Sequence, residues 1–522
     1  MNPRPTPHAP RLVLALSSAV LLIASFPSFN QPWAAWIALV PWLLLLRCVR
    51  GRAAFWWSWL VGFLFFLGSI WWLTHVTIVG WIILCAYLAV YFGLFGWLAH
   101  RIARDAPRVA IVGVPALWTA LEFARSHLLS GFGWNLLAYS QTSWRTVIQL
   151  ADVTGAWGLS SLIVLVNVAV AAWFDAGQWT GRRMRWSWTL CAACGVLCAV
   201  AYGAWRLARV TEPSSAVQIA VVQGNIPQEQ KWDEAFAETI LAHYEGLTRR
   251  AAVGQVDLIV WPETSVPGYF GLEEALTQRV MRLASAVERP LLLGAPYLKY
   301  NLQGPQVLNR ATLLDASGVP AASYDKLHLV PFGEFVPAER LLPWLRKILP
   351  PIGDFTPGTA YTVFHVPLLK FSVLICFEDI FPSLARRFVR EGAELLVVIT
   401  NDAWFGPTAA AYQHAQASAF RAVELRVPVV RAANTGWSGC IDATGAWGER
   451  VRAGDGRELF VEGLATCRVT LSTASSLYRR WGDWFAWLCV ALVMLNIVML
   501  NILIGSGLRQ LTPSKNRPII KG

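Results

Sequence analysis

Charge is scarce in this chain. Only 15% of its 522 residues are Asp, Glu, Lys or Arg, against 55% hydrophobic ones, a balance that excludes an ordinary soluble protein and implies a membrane protein. The nine cysteines are an odd number and most lie in apolar stretches, so no disulfide framework follows from them. Cys191-Ala-Ala-Cys194 has the spacing of a redox or metal pair, but no histidine or carboxylate stands near it inside its apolar run. No basic face laced with aromatics accompanies the net charge of +12: the arginines fall in short clusters between hydrophobic runs, which argues against nucleic acid. No small-x-small cleavage site follows the first apolar run after Ser25, so that run reads as a retained helix and not as a removed signal peptide.

What is abundant is apolar sequence of membrane-crossing length, each stretch near the ~20 residues that a helix needs. Eight spans are expected, centred on Leu12 to Phe26, Trp33 to Leu46, Phe55 to Leu73, Val79 to Leu98, Val109 to Leu121, Leu159 to Phe174, Trp186 to Trp205 and Trp484 to Ile504. Arg4 and Arg11 precede the first span. Arg47, Arg50 and Arg52 follow the second, Arg101, Arg104 and Arg108 the fourth, and Arg182, Arg183 and Arg185 the sixth. Alternate loops are therefore basic, which places them and the N-terminus in the cytoplasm and the segment after the seventh span outside. The basic tail with Arg509, Lys515, Arg517 and Lys521 agrees. In a Gram-negative cell the outside compartment is the periplasm. Trp33, Trp56, Trp57, Trp71 and Trp72 sit near span ends, where amphipathic rings suit the headgroup layer.

Four segments result: a membrane domain over 1–210 with seven helices, an α/β domain over 211–480, a last span over 481–506 and a basic cytoplasmic tail over 507–522. Within the second, Ala216 to Val222, Leu258 to Trp261, Leu291 to Gly294, Ala311 to Leu314, Leu374 to Cys376, Leu395 to Ile399 and Val429 to Ala432 read as strands. Phe236, Ile240 and Leu247, and later Leu272, Leu276, Val280, Leu283 and Val287, recur at helical spacing. Between Ala338 and Gly358 an apolar stretch around Trp344 falls where a surface loop belongs. It reads either as a lid dipping into the membrane interface or as packing on the domain's own core.

Three stretches carry chemistry. Phe371-Ser-Val-Leu-Ile-Cys376-Phe377-Glu378 ends a buried strand at a cysteine, Val260-Trp-Pro-Glu263 ends another at a carboxylate, and Tyr324-Asp-Lys326 to Glu334 adds a lysine and a second carboxylate. A thiol nucleophile needs a base and a cation, because the thiolate attacks and a free cysteine is only a few per cent ionised at neutral pH. These stretches resemble the Glu-Lys-Cys core of the carbon-nitrogen hydrolase, or nitrilase, superfamily. With hydrophobic spans on both sides the whole chain resembles the bacterial apolipoprotein N-acyltransferases.

The resemblance implies a four-layer α-β-β-α sandwich, Cys376 as nucleophile, Glu263 as general base and Lys326 as the cation on the oxyanion, joined by the backbone N–H of Phe377. It implies a phospholipid acyl donor, a diacylglyceryl-apolipoprotein acceptor, an inner-membrane location, a monomer, and neither cofactor nor metal. Glu334 positions Lys326 or caps a turn, Trp232 lies near the site or in the core, and Glu378 follows the nucleophile as in the family. Phe377 stands where the family pattern has tyrosine, so a phenol hydroxyl is missing. Gln223-Gly-Asn-Ile-Pro-Gln, Thr400-Asn-Asp-Ala-Trp404 and Asn434-Thr-Gly-Trp-Ser438 resemble further signature segments. Two rivals stand beside this reading: a membrane-tethered amidase in which water resolves the thioester, and a transporter or lipid-binding scaffold with an inactive domain. Against the second, the spans hold few charges, Glu122 being a main exception close to a helix end.

Overall fold

The computed structural model describes residues 8–174, 180–209, 215–302, 304–336 and 353–510. Among them are twelve strands: β1 (Ser215–Gln223), β2 (Leu258–Val260), β3 (Leu291–Asn301), β4 (Gly304–Leu314), β5 (Pro320–Asp325), β6 (Phe364–Val366), β7 (Leu369–Ile375), β8 (Leu395–Thr400), β9 (Val429–Ala433), β10 (Gly439–Ile441), β11 (Trp447–Arg450) and β12 (Gly463–Leu471). They form two six-stranded sheets, ordered β12-β1-β2-β3-β4-β5 and β11-β10-β9-β8-β7-β6.

Period-two alternation explains why the sheets stack. In the first sheet Ala220, Val222, Ile259, Leu291 and Leu293 face one way, into a core shared with Ile240, Leu241 and Leu247 of helix Glu234–Ala252 and Val280 and Leu283 of helix Glu274–Val287. The intervening Val217, Ile219, Val221, Leu258, Val260 and Leu292 belong instead to the core that holds Val373, Ile375, Val397 and Val430 of the second sheet. Helices Pro382–Arg390 and Ala410–Leu425 cover the second sheet's other side. The expected α-β-β-α sandwich is therefore present. Strands covered on both faces carry continuous apolar runs such as Leu395-Leu-Val-Val-Ile, all buried.

Strand direction decides where a site can form. β1, β2 and β3 are mutually parallel, as are β7, β8 and β9. β4 runs antiparallel to β3 and β5 antiparallel to β4, so β5 points the same way as β2. Ligand sites in such sheets lie outside the carboxyl ends of the parallel strands.

The helical part departs from the expectation of eight spans. Among the described residues three helices are long and apolar enough to cross a membrane by length and composition: Ile78–Asp105, Ala156–Trp173 and Arg182–Ala208. The other expected spans correspond to helices His8–Ala24, Val40–Arg47, Arg52–Ser69, Ala110–Arg125 and Trp484–Gln510. The second breaks because Pro32 and Pro41 punctuate it: a short turn at Pro32–Trp36 precedes an eight-residue helix. At a rise of 1.5 Å per residue, Ala110–Arg125 is only about 24 Å long. The suspected lid falls almost wholly on residues 337–352, outside the described residues, so neither reading of it is tested.

Residues 126–155 hold short turns that fill the junction between helices and sandwich. Glu122 is buried there and accepts the backbone N–H of Leu137 at 2.8 Å, while Arg125 donates to the carbonyls of Phe132 and Trp134 at 3.0 and 2.8 Å. The Glu122 carboxylate thus has a structural partner.

Candidate active site

Cys376 follows β7 in a left-handed conformation, with φ of +53°, and opens the short turn Cys376–Ile380. A non-glycine residue there is strained and is held by its surroundings. Those surroundings are visible: Glu378, fully buried, accepts the backbone N–H of Ile375 at 2.8 Å through one oxygen. Through the other it takes the Tyr324 hydroxyl at 2.7 Å and the N–H groups of Leu327 and His328 at 2.7 and 3.0 Å. Glu378 thereby straps the segment after β5 to the strand that carries Cys376. Burial pushes its carboxyl up to about 7 despite these donors. On the other side His414 bonds the carbonyl of Cys376 at 3.1 Å and Asp402 at 3.2 Å.

Glu263 and Lys326 emerge from the carboxyl ends of β2 and β5, as strand direction requires. Glu263 is buried, and each of its oxygens is held: Oε1 accepts Asn309 Nδ2 at 2.8 Å and Oε2 accepts the backbone N–H of Asn401 at 2.9 Å. The second bond crosses from the first sheet to the end of β8, so the site lies between the two sheets. Gly294 on β3 makes room for this carboxylate's backbone, since a Cβ there would stand 2.8 Å from Glu263 Cα. Lys326 Nζ lies 2.9 Å from Glu334 Oε1 and 3.6 Å from Glu263 Oε1. Burial works against its charge, but the carboxylates of Glu334 and Glu263 outweigh burial and hold the ammonium above its ordinary range. Glu334 also accepts Val330 N–H at 2.8 Å and Asn309 Nδ2 at 3.1 Å. It both positions Lys326 and closes its own turn, so the two roles expected as alternatives coexist.

The Cys376 thiol is half-buried, and burial together with the Glu263 charge pushes its pKa up against the pull of Lys326. The resting group is a thiol, which makes a proton acceptor indispensable to its reactivity.

Trp232 and Phe377 differ in burial. Trp232 is 52% exposed, so it belongs to neither the core nor the packed centre of the site. Phe377 is buried among Phe132, His328 and Phe381, with ring centroids at 6.4, 6.1 and 5.2 Å. Its ring joins the turn at Cys376 to the helical part through Phe132, a contact that needs no hydroxyl.

Three further residues hold the centre; Asn401 lies in the signature segment Thr400 to Trp404, whereas Asn309 and Lys231 carry no such signal. Asn309 bridges Glu263 and Glu334 from the middle of an ordinary strand. Asn401 is held by Gln228 at 2.8 Å and by Asn434 at 3.0 Å, which ties the three turn segments together. Lys231 is buried and donates to the backbone carbonyl of Glu263 at 3.0 Å. Burial pulls its ammonium down to about 7, opposed by the charges of Glu263 and Cys376. Its neighbour Trp232 drew the eye in the sequence; a lysine beside an exposed tryptophan gives no sign of being inside.

Comparison with known proteins agrees on the whole chain. Residues 18–169 match the apolipoprotein N-acyltransferase N-terminal domain and residues 218–477 the carbon-nitrogen hydrolase domain. The apolipoprotein N-acyltransferase of Geobacter metallireducens is 40% identical over 496 residues, 92% of this chain and 93% of that protein. That of Allorhizobium ampelinum is 33% identical over 515 residues, 93% and 94% respectively. Among solved structures, an amidase from Nesterenkonia sp. covers 52% of this chain and 95% of its own, at 19% identity and a TM-score of 0.35, a likeness too loose to carry an argument. Identity of this extent, spanning both the helical part and the sandwich, shows that the chain belongs to the apolipoprotein N-acyltransferase family.

Proposed function

We propose that this protein moves an acyl chain from a phospholipid, through a thioester on Cys376, to the α-amino group of the diacylglyceryl-cysteine that begins an immature lipoprotein. The observation that carries the reading is the meeting of Cys376, Glu263 and Lys326 at the carboxyl ends of two stacked sheets, in a chain whose relatives carry the apolipoprotein N-acyltransferase name. As sulfur attacks the ester carbonyl, Glu263 takes the thiol proton. Negative charge gathers on the carbonyl oxygen, where the Lys326 ammonium and the backbone N–H of Phe377 receive it; such preorganised donors act in a water-poor site and cost no reorganisation. Collapse expels the lysophospholipid alkoxide, which recovers the proton from Glu263, and the acyl group rests as a thioester.

The second half reverses the roles. The acceptor amine, with an ordinary pKa of about 8, loses one proton to solvent and attacks the thioester as the free amine; Glu263 takes the proton that the attacking nitrogen sheds and passes it to the departing Cys376 sulfur, so that thiol and carboxylate are restored and an amide remains. Both substrates are lipids held in the bilayer, which is the physical reason for the helices around this domain. The protein then acts in the inner membrane with its sandwich on the periplasmic side, as a monomer without metal or cofactor.

Intact mass after incubation with a phospholipid tests the mechanism. An acyl adduct is expected on the native protein and none on Cys376→Ser, and a diacylglyceryl-cysteine peptide should discharge it onto the peptide's amine. Equal loss of the adduct without peptide would make the protein a hydrolase; no adduct with any lipid would remove Cys376 from the reaction.

A further inference from the structure

Outside the cluster of Cys376, Glu263 and Lys326, two cysteines meet where the sheets come together. Cys440 lies on β10 of the second sheet and Cys467 on β12, the edge strand of the first, opposite Ile219 of β1. Both are buried, and both sulfurs donate to one acceptor, the carbonyl of Glu449, at 3.5 Å from Cys440 and 3.6 Å from Cys467. Gly448 opens the space they share: a Cβ at that position would stand 3.0 Å from Cys440 Sγ. Isolated buried cysteines are ordinary small core residues. A pair contributed by two different sheets and converging on one carbonyl is a different object, because a bond between them would cross the sandwich.

We propose that Cys440 and Cys467 are a reversible dithiol–disulfide pair, a covalent clamp between the two sheets that a disulfide oxidant closes. Cys440 is the attacking group. It is the more exposed of the two, and the S–H of Cys467 stabilises its thiolate and lowers its pKa from the ordinary thiol value. The Cys440 thiolate attacks one sulfur of the oxidant, a protein or glutathione disulfide, and expels a thiolate that takes up the proton Cys440 released. Cys467 then loses its proton and attacks the Cys440 sulfur, releasing the second oxidant thiol. Two protein thiols become one disulfide, and one oxidant disulfide becomes two thiols. The closed form ties β10 to β12. Just upstream of β10, Ser438 donates to Gln223 Oε1 and Asn434 holds Asn401, so the clamp lies behind the segment that supports Glu263. The inference does not depend on acyl transfer, and its test does not measure it.

The experiment uses full-length protein in detergent, equilibrated across a series of glutathione to glutathione disulfide ratios. Samples are quenched in acid, denatured, labelled with maleimide and digested for mass spectrometry. The expected result is that Cys440 and Cys467 lose label together, with a linked peptide lighter by two hydrogens, while Cys85 and Cys489, buried in helices, keep theirs. The oxidised protein should melt several degrees above the reduced one, and in Cys440→Ser that difference should vanish while Cys467 stays reactive. Persistence of both labels in the most oxidising mixture overturns the clamp, as does a glutathione adduct on Cys440 with Cys467 still free. The labelling of the native protein decides the matter even if the serine variant fails to fold.

Discussion

At the scale of single residues, the charges around Cys376 make the sharpest claims. Lys326 stands between two carboxylates inside the protein, and breaking such a buried pair typically costs 3–5 kcal/mol because it strands the partner. Lys326→Met should therefore lower Tm as well as reduce acyl-adduct formation by a hundredfold or more, the usual loss for one oxyanion donor. Lys231 makes a different prediction. Its ammonium, held down to about 7 by burial, is charged below that pH and neutral above it, and when charged it favours the Cys376 thiolate. Lys231→Met should thus slow iodoacetamide labelling of Cys376 several-fold at pH 6 and change it little at pH 9; equal slowing at both would make Lys231 a packing residue. The same depressed pKa fixes a sign for stability. From about pH 7 to the ordinary lysine pKa near 10.4 the unfolded chain binds more protons than the folded one, so this group's contribution to native stability rises with pH across that window, falls as pH drops from about 10.4 towards 7, and is level below 7. Glu263 and Cys376 were legible because each ends an apolar strand in a recognisable motif, and Lys326 by its motif alone, since it follows the mostly exposed strand β5. Lys231 and Asn309 were not, since a reading by pattern cannot tell that a lysine in a turn segment or an asparagine within a strand is buried against a distant carboxylate.

At the scale of elements, β1, β2, β7, β8 and β9 were legible within about two residues because double-sided burial writes continuous apolar runs, whereas β3 and β4 extend seven residues beyond their apolar cores and β5, β6 and β11 left no such run. β12 escaped although its buried and exposed residues alternate, and β10, too short for a pattern, escaped as well. The short turns of 126–155 left no periodic trace, because their burial exists only with the sandwich seated on them. Helix Ala410–Leu425 shows what seats it. Gln413 accepts the indole N–H groups of Trp72 and Trp134 at 3.0 and 2.9 Å and donates to the carbonyls of Pro27 and Ser69 at 2.8 and 2.9 Å. A buried amide with four partners from three separate stretches cannot be replaced by an apolar group without leaving donors and acceptors unmet, at about 1–3 kcal/mol each. Gln413→Leu should lower Tm in detergent by many degrees, whereas Gln413→Glu should keep the two indole bonds and lose the two carbonyl ones, for a smaller loss. An unchanged melting curve in Gln413→Leu would mean that this amide does not hold helices and sandwich together.

At the scale of the whole molecule, the helical part and the sandwich are joined by buried charge as well as by packing. Asp152 receives Arg426 and Arg206, and Glu424 pairs with Arg421 at 2.7 Å while accepting the N–H of Ala156 at 3.0 Å. Ionic contacts of this kind do little for net stability against apolar replacements but penalise any other docking, since a shifted interface strands each charge. A fixed docking is what the proposed reaction needs, because a lipid carbonyl must reach Cys376 from the bilayer. It also makes topology a strict consequence of the basic loops: if the arginines at 182–185 lie in the cytoplasm, helix Arg182–Ala208 must deliver the whole sandwich to the other side. Arg183 and Val253 are both exposed, one at the start of that helix and one after helix Glu234–Ala252. A membrane-impermeant maleimide added to intact spheroplasts, read by site-resolved mass spectrometry, should label Val253→Cys and spare Arg183→Cys until the membrane is permeabilised. Labelling of both from outside would mean that Arg182–Ala208, despite its length and apolar composition, does not cross, and the catalytic domain would then have to meet its lipids from the side of the basic loops.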